Sequence, residues 1–186
     1  MKNAPAHIDL YTIDCRLWLP QYDHFLRLLS PQEKEKAARF HFKKDEQRFV
    51  LARGLLRHQL AEYLGCTPTS LVFKKNAHEK PFVENTQSLH FNISHSGDFV
   101  LFAFSWDLPV GIDIEYQKPH FDFMPIAQRF FAPQEIEQLC ALEMSLQRSA
   151  FFDLWSQKEA VIKAIGQGLS YPLKDFTLAF TKNNSV

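Results

Sequence analysis

Lys158, Glu159 and Lys163 share two turns of a strongly helical pattern in which Phe151, Leu154, Trp155, Ile162 and Ile165 recur at three- and four-residue spacing. At 100° per residue Lys158 falls in the middle of the apolar stripe, with Glu159 and Lys163 together at its edge. A lysine in a core stripe costs stability unless an anion meets it or its stem snorkels to water. With a second lysine and a glutamate beside it, the pattern points to a site for anions and a metal. The complementary segment is Val110 to Glu115. Alternation predicts a strand with Val110, Ile112 and Ile114 on one face and Gly111, Asp113 and Glu115 on the other. Two carboxylates two residues apart repel unless a cation intervenes, and hard oxygen ligands suit Mg²⁺, which also takes phosphate oxygens. An ordinary half-buried strand with a solvated polar face would look the same in isolation. Together the segments offer three carboxylates for a metal and two lysines for phosphates.

The elements that must position these groups are carried on 186 residues, enough for one large domain or two small ones. A hydrophobic content of 46% with 18 phenylalanines indicates a globular chain with aromatic packing. Lysine plus arginine balance aspartate plus glutamate at 21 each, which argues against nonspecific nucleic-acid binding. Cys15, Cys66 and Cys140 are odd in number and scattered, so neither a disulfide framework nor a zinc site is indicated. No signal pattern opens the chain and no apolar run reaches membrane-spanning length, so a cytoplasmic location without membrane attachment is expected.

Arg27 to Glu33 (RLLSPQE) and Arg129 to Glu135 (RFFAPQE) stand 102 residues apart. Each reads as apolar residues followed by a helix opening with proline at its first position. The first has the capping box Ser30 to Glu33. Each leads into a longer helical pattern ending at glycine, Gly65 or Gly166. Ile8 to Ile13 stands at the same offset before Val110 to Glu115. The order of elements predicts an internal duplication: residues 1–105 as one α+β half and 106–186 as a second, less complete one. In the first half, strands are predicted near Leu71–Lys75, Leu89–Ser94 and Phe99–Ser105, the last two joined by a turn at Ser96-Gly97-Asp98. The second half offers only Phe176–Thr181, which leaves a sheet edge open or paired in a dimer.

These motifs are similar to those of the Sfp-type 4′-phosphopantetheinyl transferases. The resemblance runs from about Ser30 to Asp175. It rests on Lys80-Pro81, Phe91-Asn92-Ile93-Ser94-His95-Ser96, Gly111-Ile112-Asp113-Ile114-Glu115, Arg129-Phe130-Phe131 and Trp155-Ser156-Gln157-Lys158-Glu159 through Lys163. It implies two similar α+β halves with pseudo-twofold symmetry and an active site in the cleft between them. It also implies transfer of the phosphopantetheine arm of coenzyme A to a serine of an acyl, peptidyl or aryl carrier protein, releasing adenosine 3′,5′-bisphosphate. By motif, Asp113, Glu115 and Glu159 would hold Mg²⁺ and Lys163 would assist departure of the nucleotide. Lys158 would also face the phosphates. Glu159 or a metal-bound water would be the base for the serine. Ser94 and His95 would bind near the 3′-phosphate, with Lys36, Arg48 and Lys80 adding positive charge, although Lys36 and Arg48 also fit a solvated helix face. Phe121-Asp122-Phe123-Met124 fits either a docking surface for the acidic carrier or core packing.

Two departures from the family pattern put negative charge near the expected phosphates: Glu79 stands where a glycine precedes Lys-Pro, and Glu33 occupies a basic position. The early stop at Val186 is the third. A Mg²⁺-dependent nuclease would also use carboxylates and lysine, but its lysine usually follows a carboxylate on a strand. A shortened relative that binds coenzyme A or carrier without turnover is the non-enzymatic alternative.

Overall fold

The computed structural model describes residues 7–84 and 88–179. It begins with β1 (Ile8–Asp14), followed by the short helix α1 (Cys15–Trp18), α2 (Tyr22–Leu28), α3 (Pro31–Ala38) and the long α4 (Lys43–Leu64). Two short strands, β2 (Phe73–Lys75) and β3 (Pro81–Val83), form an antiparallel pair. β4 (Leu89–Ser96) and β5 (Phe99–Trp106) form a hairpin, and β1 adds antiparallel to β5 to give the order β1-β5-β4. The second half holds α5 (Met124–Phe130), α6 (Pro133–Cys140) and α7 (Met144–Ile165). The chain is thus α+β, with its described strands all in the first half.

Each half has its own apolar cluster. In the first, Val50, Leu51, Leu56 and Leu60 of α4 pack on Phe91, Val100, Phe102 and Phe104 of the sheet. In the second, Phe151, Phe152 and Leu154 of α7 meet Ala127, Phe131 and Leu139. Phe121 and Phe123 pack against this second cluster, and Phe123 stacks on Phe151 at 5.3 Å. Core packing therefore accounts for this aromatic segment.

The helices of the two halves open and close alike. Ser30 caps α3 by accepting from Glu33 N, and Glu33 returns a carboxylate to Ser30 N. Glu135 accepts from Ala132 N in the same way at the start of α6. α4 and α7 are both 22 residues long, and each ends on a left-handed glycine, Gly65 at φ 60° and Gly166 at φ 81°. That backbone is one only glycine adopts at little cost.

Inside each half a glutamate from the shorter helix meets a cation of the longer one. Arg57 Nε donates to Glu33 Oε2 at 2.7 Å and Arg57 Nη1 to Pro68 O and Leu71 O at 2.8 and 3.1 Å. Lys158 Nζ lies 2.9 Å from Glu135 Oε2 and donates to Leu173 O and Phe176 O at 2.7 and 2.8 Å. The two constellations are alike in construction. In each, a buried ion pair ties the chain that follows the long helix back beneath it.

Glu33 is therefore a buried partner of Arg57 and Arg53, not a charge facing a ligand. Burial alone would push its carboxyl pKa up, but the hydrogen bond from Arg57, the charge of Arg53 and the Ser30 amide outweigh it and hold it below the ordinary value. A depressed folded pKa contributes stability above the unfolded value, and this contribution is lost as pH falls through the folded one. Urea unfolding between about pH 6 and pH 3 should show a declining stability whose slope is shallower in Glu33→Gln.

Two predicted strands differ from the structure. Residues 110–115 are extended but belong to no sheet, because side chains rather than a backbone ladder take their N–H groups. Residues 176–179 of the predicted Phe176–Thr181 strand are also outside any sheet, and residues 180 and 181 lie outside the described residues.

A candidate active site between residues 110–116 and helix α7

Residues 110–116 run between the polar side of β4 and the flank of α7. On the β4 side, Asn92 Oδ1 accepts from Ile112 N at 2.9 Å, Ser94 Oγ from Ile114 N at 3.3 Å and Ser96 Oγ from Tyr116 N at 2.9 Å. On the α7 side, Gly111 passes so close that a Cβ there would lie 1.9 Å from Ala160 O and 2.4 Å from Ala164 N. A helix flank built from alanines and a strandlike segment with glycine at the crossing are what permit this approach.

The approach brings Asp113 to Lys163. Lys163 Nζ donates to Asp113 Oδ1 at 2.6 Å and to Ser94 Oγ at 3.0 Å, while Ser94 Oγ donates to Asp113 Oδ1 at 2.7 Å. The Ser94 hydroxyl has one proton and two lone pairs, and Asp113, Lys163 and Ile114 N use all three. The side chain expected to hold a phosphate is spent on organising the carboxylate instead. Asp113 is buried, and its second oxygen, Oδ2, has no hydrogen-bond partner.

Glu115 and Glu159 lie within the same electrostatic field. Burial pushes the Glu115 carboxyl pKa up and the charge of Asp113 adds to this, against a hydrogen bond from Trp155 and the charge of Lys163. Burial likewise raises Glu159; Lys163 opposes this, while Asp113 and Glu115 reinforce it. Glu115 and Glu159, both made costlier to ionise by burial and by the charge of Asp113, share the single ammonium of Lys163 with it, so the site is short of positive charge. Among the described residues no group of three His, Cys, Asp or Glu side chains is gathered as a metal cluster.

The remaining expected residues lie elsewhere. Lys158 is fully buried on Glu135 and two carbonyls, so it does not face a phosphate. Its place on the apolar stripe is explained by the ion pair. Lys80 Nζ donates to Val110 O and Ala164 O, both at 3.1 Å, and Asn76 Nδ2 to Gly166 O at 2.9 Å. Burial lowers the Lys80 pKa. This lysine caps the last turn of α7 and pins it to the carboxylate segment. Arg48 is held by Asp98 at 2.7 Å and Asp45 at 3.1 Å, and Lys36 rests 5.1 Å from the Phe49 ring centroid. His95 is exposed near the β4–β5 turn that carries Asp98, on the opposite side of β4 from Ser94.

Glu79, the departure before Lys80, has φ of 66° and pairs with Lys75 in solvent. It occupies a left-handed position that glycine takes without strain. Glu79→Gly is expected to stabilise the chain by about 1 kcal/mol, a rise in Tm of roughly 2–4 °C by calorimetry.

The sequence missed Asn92, Ser96, Trp155 and the close approach at Gly111. The alternation of Asn92, Ser94 and Ser96 on one side of β4 was the signal for the first two.

The model of the N-terminal part of 4′-phosphopantetheinyl transferases matches residues 16–106, and that of the 4′-phosphopantetheinyl transferase superfamily matches residues 109–186. The chain belongs to this family of transferase enzymes. Among curated relatives, it is 38% identical over 179 residues to 4′-phosphopantetheinyl transferase psf-1 of Bacillus pumilus, covering 96% of this chain and 76% of that protein. It is 37% identical over 164 residues to 4′-phosphopantetheinyl transferase Sfp of Bacillus subtilis (strain 168), covering 88% and 72% respectively. With HetI of Nostoc sp. it shares 34% identity over 187 residues, 95% of this chain and 78% of that protein. It is therefore of the Sfp type.

Proposed function

We propose that this chain transfers 4′-phosphopantetheine from coenzyme A to a serine of an acyl, peptidyl or aryl carrier protein, in a Mg²⁺-dependent reaction. The observation that carries the reading is the Lys163–Asp113–Ser94 cluster with Glu115 and Glu159 in its field. Asp113, Glu115 and Glu159 would hold the metal. The unpartnered buried oxygen of Asp113 and the raised pKa of Glu115 and Glu159 beside it are what fit a hard divalent cation. When bound, Mg²⁺ supplies charge neutralisation to the pyrophosphate oxygens.

The carrier serine oxygen forms a bond to the phosphorus that bears the pantetheine. The bond from that phosphorus to the bridging oxygen breaks, and adenosine 3′,5′-bisphosphate leaves. Lys163, held by Asp113 and Ser94, stabilises the negative charge that develops on the departing phosphate. Glu159 or a water in the site takes the serine proton, and its raised pKa suits a group that must accept one. His95 and Arg48 lie at the β4–β5 turn, where Arg48 holds Asp98, and with Lys36, which rests on Phe49, would meet the nucleotide phosphates.

A second reading, a relative that binds without turnover, is favoured by one feature: Lys80 and Lys158 are engaged inside the protein, on Ala164 O and on Glu135. Incubating an apo carrier protein with a fluorescent coenzyme A conjugate and Mg²⁺ separates the two. Covalent labelling that is abolished by EDTA and in Glu159→Ala supports the transferase. Conjugate binding by fluorescence anisotropy without labelling supports the second.

A further inference from the structure

We infer that Asn92 and Ser96 are positioning residues for the reaction, setting the register that turns Asp113 and Glu115 toward α7. The activity arm of this inference rests on the transferase reading above. Residues 110–116 share no ladder with a neighbouring strand, so nothing in their backbone pairing fixes which side chains face the helix. A slip of one residue would flip the whole segment, presenting Ile112 and Ile114 to Lys163 and sending the carboxylates away.

What prevents the slip is a set of three acceptors at matching spacing. Asn92, Ser94 and Ser96 alternate along β4, and their side-chain oxygens meet the N–H groups of Ile112, Ile114 and Tyr116 in the same order. Each β4 residue lies 20 positions before its partner, so the segment runs parallel to β4 and fits only one register. Ser94 also binds Asp113 and Lys163 directly, which places it in the site itself. Asn92 and Ser96 are the outer two clamps. Asn92 is buried, so removing its oxygen would leave the Ile112 amide without an acceptor.

The test is amide hydrogen exchange by NMR, with kcat and the KM for coenzyme A measured alongside, on Asn92→Ala, Ser96→Ala and the double variant. Exchange protection at Ile112 and Tyr116 is expected to fall about tenfold or more, while Phe102 and Phe104 in the β4–β5 ladder keep theirs. With it kcat should fall about tenfold or more at nearly unchanged KM. Ser96→Thr, which keeps the hydroxyl, should recover both protection and turnover. Unchanged protection at Ile112 and Tyr116 would overturn the inference, as would loss of protection throughout the sheet. Loss confined to the segment with kcat intact would overturn the link to the reaction. If the parent chain shows no transfer at all, the transferase reading fails, and the exchange data still decide whether the clamps hold the register.

Discussion

Replacing Lys158 by methionine should destabilise this chain by about 3–5 kcal/mol, enough to unfold a large fraction of it at physiological temperature. The family resemblance alone would predict a different phenotype, a folded protein with weakened coenzyme A binding. The difference follows from position. Lys158 is fully buried, and its ammonium satisfies Glu135 together with the carbonyls of Leu173 and Phe176. Without it, Glu135 is a buried carboxylate with two backbone donors, Ala132 N and Leu178 N, and no counter-charge. Residues 173–176 also lose their tie to α7. Adding Glu135→Gln to Lys158→Met removes the uncompensated charge while keeping an acceptor for those amides. Urea unfolding should show the double variant more stable than Lys158→Met. If Lys158→Met unfolds at the parent's urea midpoint while its KM for coenzyme A rises sharply, the lysine is a ligand and its structural role is wrong.

The second large effect belongs to Gly111. In Gly111→Ala the new methyl would lie 1.9 Å from Ala160 O and 2.4 Å from Ala164 N. Both obstacles are backbone atoms of α7, so no side chain can rotate away to make room. The segment must lift from the helix, and Asp113 and Glu115 move with it. Overpacking of this kind costs about 1–3 kcal/mol in stability. The larger consequence is catalytic, since an ångström of displacement at reacting groups costs about a hundredfold in rate. Transfer rate by stopped assay should therefore fall by about a hundredfold or more, out of proportion to the change in Tm. Parent-like turnover in Gly111→Ala would mean that the close approach to α7 is not needed for the carboxylates to work.

Helix boundaries were legible where they carry local signals, at the starts of α3 and α6 and the ends of α4 and α7. Proline after Ser30 and Ala132, and glycine at Gly65 and Gly166, mark boundaries through backbone chemistry that needs no tertiary partner. β4 was legible from alternation, β5 from the turn at Ser96-Gly97-Asp98 that joins it to β4, and β1 only from its offset to Val110–Glu115. Alternation overstated Val110 to Glu115, because it reports which way side chains face and not what the amides bond to. The cations were the least legible part of the site. Sequence shows that Lys80, Arg48 and Lys158 are charged, but their partners Ala164 O, Asp98 and Glu135 come from distant elements. For Lys158 a clue did exist. Glu33 with Arg57, and Glu135 with Lys158, repeat at almost the same offset as the helix openings. A repeated glutamate–cation pair on two apolar helices is better explained by a buried structural bond than by two ligand sites. Asp113, Glu115, Glu159 and Lys163 could be grouped from sequence because carboxylates on one extended segment and charges one helical turn apart come together when the two elements cross, as the Lys163–Asp113 contact shows for one pair.

The most direct measurement of the central claim is the intact mass of an apo carrier protein after incubation with this chain, coenzyme A and Mg²⁺. The expected result is a gain of one phosphopantetheine on the carrier, absent with Lys163→Ala and with Glu159→Ala. No gain on any of several acyl, peptidyl and aryl carriers, from a chain shown to be folded, would contradict the assignment of a working transferase site to Asp113, Glu115, Glu159 and Lys163.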